Sequence, residues 1–176
     1  AEVEALAAAT REHFGVPHLV FNNAGVGAGG LVWETPTAEW QWVLGVNLFG
    51  VAHGVRAFTP MMLEAAYADP AYEGHIVNTA SMAGLLNAPN MGVYNVTKHA
   101  VVAMSETLYQ DLRLVTDQIG ASVLCPFFIP TGILASERNR PGADPRAGRT
   151  LTPAQRIGEA LAERAMAAET LSAADI

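Results

Sequence analysis

The amino-acid pattern predicts an α/β fold, a parallel sheet with helices on both faces, and three observations carry that prediction. Short apolar runs suited to buried strands (HLVFN, HIVNTAS and ASVLCP) alternate with long stretches of helical periodicity. Strands separated by whole helices pair in parallel through crossovers packed on the sheet. The 176 residues are 51% hydrophobic and 15% charged, enough apolar side chain for a large core and too little charge for a disordered chain.

In chain order, residues 1–14 place Val3, Leu6, Ala9 or Thr10, and Phe14 at helical spacing, with Gly15 and Pro17 as the stop. HLVFN, residues 18–22, is the first strand, and the NNAGVGAGG that follows is too glycine-rich for a regular element. A second helix starts near Thr37, where Trp40, Val43, Leu44, Asn47 and Val51 share one face that continues toward Met62 and Leu63. Residues 67–74 form a polar connection, and HIVNTAS, residues 75–81, is the second strand. After a loop with Gly84, Pro89 and Gly92, a long helix sets Tyr94, Lys98, Val101, Ser105, Leu108 and Leu112 on one stripe. ASVLCP, residues 121–126, is the third strand, closed by proline. Residues 127–149 lack periodicity and read as a loop or lid, and residues 153–168 return to helix with Pro153 in the first turn. Ligands of such sheets sit outside the carboxyl ends of the strands, here NNAG, NTAS and the segment after Cys125.

Composition excludes several classes of function. Seventeen acidic residues against ten basic ones give a formal charge of −7, and the arginines between Arg138 and Arg149 are too sparse for a nucleic-acid surface. The single cysteine, Cys125, rules out an internal disulfide framework and fits a reducing, cytoplasmic compartment. No apolar run approaches the roughly 18 residues of a membrane span, and no signal peptide is visible. The five histidines show no ligand spacing with carboxylates or Cys125, so no metal is expected. No G-x-S-x-G elbow surrounds any serine.

Nine of the ten basic residues are arginines, and the one lysine, Lys98, lies on an otherwise apolar helix stripe. Tyr94 precedes it by one helical turn on the same face. A nearby ammonium favours the phenolate and draws the phenol toward the working range of an acid/base catalyst. Taken alone, the pair equally describes a lysine reaching to solvent beside a packed aromatic. Asn47 interrupts an apolar stripe, where its amide needs partners; it would bend the helix, hold a water, or serve as an ordinary buried asparagine. Ser81, at a strand end, would donate to a substrate oxygen or simply make a turn. Gly50 and Gly54 are expected to permit close helix packing.

Asn22-Asn23-Ala24-Gly25 after a strand, Asn47 in the next helix, Ser81 after the next strand and Tyr94-Asn95-Val96-Thr97-Lys98 together resemble the short-chain dehydrogenase/reductase family. The resemblance spans about residues 1–135, with four separated motifs in order. It implies a Rossmann-like doubly wound sheet in a single domain and an NAD(P)-dependent oxidoreductase acting on a secondary alcohol or ketone. It further implies Tyr94 as general acid/base and Lys98 as the group that lowers its pKa and binds the nicotinamide ribose. Ser81 would orient the substrate carbonyl, and Asn47 would hold a relay water. Asn23, Ala24, Gly25, Ile129 and Thr131, with Tyr94 and Lys98, would contact the cofactor, NAD or NADP. Phe127 stands where the family usually has glycine.

The family's glycine-rich pyrophosphate turn is absent from this chain. The resemblance therefore makes residues 1–176 a partial domain lacking the first three strands and the last, with residues 132–168 as a variable substrate lid. It also implies a homodimer or homotetramer through the second and third helices, whose outward faces are expected to hold Trp42, Phe49, Val102 and Met104. An inactive fragment and a non-catalytic dinucleotide-binding regulator are the alternatives.

Overall fold

The computed structural model describes residues 2–142, 151–168, 170 and 172. Helices and strands alternate as α1 (Glu2–Phe14), β1 (Leu19–Asn22), α2 (Thr37–Leu44), α3 (Gly50–Ala68), β2 (Gly74–Thr79), α4 (Gly92–Arg113), β3 (Ile119–Leu124) and α5 (Pro153–Ala168). A π-helical turn, Gly45–Phe49, joins α2 to α3, and a 3-10 segment, Gly132–Asn139, follows β3. The expected lid falls partly outside the described residues, at 143–150.

The three strands form one parallel sheet in the order β1-β2-β3, with Leu19 opposite His75 and Gly74 opposite Ile119. This is the partial parallel α/β arrangement the sequence predicts, but α1, α3 and α4 pack on one face of the three described strands, where helices were expected on both. Successive right-handed crossovers that step the same way across a sheet put their helices on the same face. The main core accordingly joins Val20, Ile76 and Ile119 from the strands to Ala7 of α1, Phe58 and Met62 of α3, and Leu108 and Leu112 of α4. Leu19 and Phe21 point the other way and are exposed.

Three local expectations are corrected. In α1 the buried face runs through Val3, Ala7 and Thr10, while Leu6 and Phe14 stay exposed, because the apolar spacing fits both registers and packing on α3 selects one. The third strand begins at Ile119 and ends at Leu124, two residues earlier than the composition indicates. Its pairing with β2 ends opposite Thr79, and Ile119 is fully buried. Pro126, which has no N–H for a ladder, instead accepts from Met82 N–H at 2.9 Å. Finally, Val102 is buried against Val51, Ala80 and Val101 and Trp42 lies beneath Arg140, so of the expected outward residues Phe49 is the exposed one.

A polar ladder crosses the buried face of the sheet. Asn22 donates to Asn78 Oδ1 at 2.8 Å, Asn78 donates to Ser105 Oγ at 3.0 Å, and Ser105 donates to Val101 O at 2.7 Å. Gly54 lets α3 close on this ladder, since a Cβ there would fall 1.9 Å from Asn22 Oδ1; at Gly50 a Cβ would meet nothing. Gly54→Ala is expected to destabilise the intact protein by about 1–3 kcal/mol despite the better helix propensity of alanine. Urea unfolding measures this, with Gly50→Ala expected to be neutral or stabilising.

Candidate active site

Asn47, Ser81, Tyr94 and Lys98 come from three elements and meet at the carboxyl end of the sheet. The wide Gly45–Phe49 turn, marked by Gly50 N–H bonding back to Gly45 O, carries Asn47 inward with no exposed surface. Its Oδ1 accepts Val26 N–H at 2.8 Å, and its Nδ2 donates to Val26 O at 3.0 Å and Thr97 Oγ1 at 3.3 Å. The side chain expected to hold a water is thus committed to the loop after β1 and to α4.

Ser81 lies two residues past β2 and caps the short Met82–Gly84 turn by accepting Ala83 N–H at 3.1 Å. Its Oγ also donates to Pro126 O at 3.5 Å, and it is the side chain near enough to lower the Tyr94 phenol. Gly84 packs so closely on α4 that a Cβ would fall 2.7 Å from Lys98 O, which sets Ser81 beside the first turns of that helix. Lys98 Nζ donates to Thr79 O at 2.8 Å and stands 5.6 Å from the centroid of the Tyr94 ring. Asn23, Ala24 and Gly25 follow β1 and are exposed. A Cβ at Gly25 would sit 3.7 Å from both Asn47 Oδ1 and Lys98 Nζ, so the loop backbone runs directly over the buried pair.

Ile129 and Thr131 lie on the segment after β3, and Thr131 accepts Ile133 N–H at 3.4 Å to start the 3-10 turn. Among the described residues, neither hydrogen-bonds to the other site residues. Phe127 is exposed and meets Phe128 edge-on at 4.8 Å.

Electrostatically the pair differs from the expectation. Burial pushes the Tyr94 phenol above the ordinary tyrosine range, and it is Ser81 that draws it back. Burial lowers Lys98 to about 8, with an opposing contribution from Cys125. Burial pushes the Cys125 thiol up, so it remains a neutral, weakly nucleophilic group.

Sequence reasoning missed the parts supplied by backbone. Val26 and the Thr79 carbonyl offer no side-chain signature. Thr97, fully buried and donating to Tyr94 O at 2.8 Å, carried a signal only in its position on the inner face of the Tyr94–Lys98 turn.

Residues 1–142 match the family described as short chain dehydrogenase. The CLA biosynthesis dehydrogenase/reductase of Lactiplantibacillus plantarum is 36% identical over 131 residues, 74% of this chain and 44% of that protein. A short chain dehydrogenase/reductase from Burkholderia phymatum, solved in complex with NAD, is 52% identical with a TM-score of 0.89, covering 98% of this chain and 59% of that one. A putative short-chain dehydrogenase from Novosphingobium aromaticivorans is 42% identical with a TM-score of 0.68, covering 74% of this chain and 47% of that one. The chain thus spans less than two thirds of the length of each of these relatives.

The lowered pKa of Lys98 has a stability consequence. Between about 8 and the ordinary lysine value of 10.5 the unfolded chain binds the proton that the folded one has lost, so stability rises with pH across that window. In the cofactor-free intact protein, the stability of wild type relative to Lys98→Met is expected to improve by about 3 kcal/mol from pH 7 to pH 10.5. Denaturant unfolding at the two pH values checks this, and a constant difference would contradict it.

Proposed function

Because the chain belongs to the short-chain dehydrogenase family, we propose that it carries the catalytic part of an NAD(P)-dependent oxidoreductase that interconverts a secondary alcohol and the matching ketone. One convergence supports this most directly: a buried Tyr94 with Ser81 acting on its phenol and the buried Lys98 ammonium 5.6 Å from the centroid of the same ring. The residues present fit a dinucleotide. An ammonium has three donors and Lys98, 3% exposed, uses one on Thr79 O, which leaves buried donors suited to ribose hydroxyls. Asn23, Ala24 and Gly25 would lie along the cofactor, with Ile129 and Thr131 at its nicotinamide end. When bound, the nicotinamide supplies or accepts the hydride.

The remaining chemistry belongs to the side chains. The raised pKa keeps Tyr94 protonated at neutral pH, so in the reducing direction its phenol gives a proton to the carbonyl oxygen. Ser81 holds that oxygen, and its hydroxyl stabilises the phenolate left behind. Lys98, charged below about pH 8, further stabilises the phenolate. With its amide committed, Asn47 fixes the wide turn, and a relay water would have to be held by other groups than its side chain. Residues 132–168 would close the substrate side. The exposed Phe49 face suits the homodimer or homotetramer that the family resemblance implies, and the single free cysteine suits a cytoplasmic location.

Tyr94→Phe in the intact protein is expected to lower turnover at least a hundredfold while leaving the dissociation constant for NADH or NADPH within about threefold. Steady-state assays and fluorescence titration read the two quantities. Turnover within about tenfold of wild type removes the acid role from Tyr94. Cofactor binding by the wild-type protein without turnover of any carbonyl compound in a broad panel favours the regulator instead.

A further inference from the structure

Two successive amides of the loop after β1 are held from opposite sides. Val26 N–H goes inward to Asn47, whereas Gly27 N–H goes outward to Ser136 Oγ at 2.8 Å. Ser136 is 3% exposed, and its hydroxyl proton is directed to Ile133 O within its own turn, so its remaining lone pairs are left for the loop. The fit is close: a Cβ on Gly27 would stand 3.1 Å from Ile133 O.

The 3-10 segment that carries Ser136 is fastened at its far end. Arg140 pairs with Glu137 at 2.7 and 2.8 Å, bonds Glu39 of α2, and lies 4.4 Å over the Trp42 ring. The Glu39 side chain is only 12% exposed, so the pair is shielded from screening by water. The energetic role of Arg140 is therefore to hold this segment on the helix leading into the Asn47 turn.

We propose that Ser136 and Arg140 are positioning residues that clamp the loop following β1 from outside, completing from the substrate side the hold that Asn47 exerts from the core. Applied to turnover, this rests on the oxidoreductase function proposed above. The clamp sets the distance of the loop backbone from Lys98 and from the face where a substrate would lie. Loosening it weakens substrate capture and leaves the buried Tyr94–Lys98 pair in place.

Hydrogen exchange on the intact protein tests the clamp without reference to activity. Ser136→Ala and Arg140→Met are expected to accelerate exchange of the 26–30 amides at least tenfold while the α4 amides keep their wild-type rates. Glu39→Gln should act in the same direction as Arg140→Met, with the double variant no worse than the more affected single one. In steady-state assays both Ser136→Ala and Arg140→Met should raise the substrate KM at least fivefold with kcat within about twofold. Unchanged exchange at 26–30, faster exchange there with an unchanged KM, or equal acceleration in α4 would each overturn the proposal, the last because it marks a general loss of stability. If the wild-type protein turns over no carbonyl compound with either cofactor, the exchange arm still decides the clamp, and the oxidoreductase assignment is what fails.

Discussion

Asn47 has no exposed surface, so every hydrogen bond its amide makes must be found inside the protein. It finds them on the backbone of Val26 and the hydroxyl of Thr97, which belong to two segments far apart in the chain. Satisfying one carboxamide therefore ties the loop after β1 to the helix bearing Tyr94 and Lys98. Thr97 in turn donates to Tyr94 O, which connects the same bond to the turn that carries the phenol. The wide turn between α2 and α3 follows from this demand, because it carries the asparagine inward to the loop. An apolar residue at position 47 would remove the need for partners and, with it, the link among three segments.

Much of this was legible because buried polar residues disturb an otherwise regular pattern. Asn47 and Lys98 each break an apolar helix stripe, and a side chain that costs energy at its position invites the question of what it does there. The parallel α/β class was legible from strand–helix alternation, and the joint order of four motifs anticipated that Ser81 would lie near the Tyr94–Lys98 helix. The parts that were not legible share a physical cause. Val26, Gly27 and the Thr79 carbonyl contribute only backbone, which every sequence supplies equally. Ser136 lies in a stretch without periodicity, so nothing distinguishes its hydroxyl from that of an ordinary turn serine. The start of β3 was obscured because the apolar run begins at Ala121, whereas Gly120 is held in the strand by its pairing with His75. In α1 the spacing pointed to Leu6 and Phe14, and packing on α3 instead buries Ala7.

The electrostatics of the pair show how burial pulls against charge. Dehydrating Tyr94 and Lys98 together raises the phenol and lowers the ammonium, moving both toward their neutral forms. A lysine that stays charged only below about pH 8 is held at a cost to stability, offset by the Thr79 carbonyl and by the packing around it. A methionine of similar length would fill the space without that cost, and under the proposed function the chemistry of the ammonium is what the cost would serve.

The asparagine–serine ladder beneath the sheet bears on how the strands find their alignment. Alternation of apolar residues fixes which face of a strand is buried, but it tolerates a slip of two residues, which returns the same faces to the core. β1 and β2 are brought together across a long crossover, so their pairing is closed late and at considerable entropic cost. With Asn22 opposite Asn78 the two amides bond each other; after a two-residue slip each would face an aliphatic neighbour and lose its partner in a dry interior. The ladder thus acts as a register key, penalising mispaired sheets that hydrophobicity alone would accept.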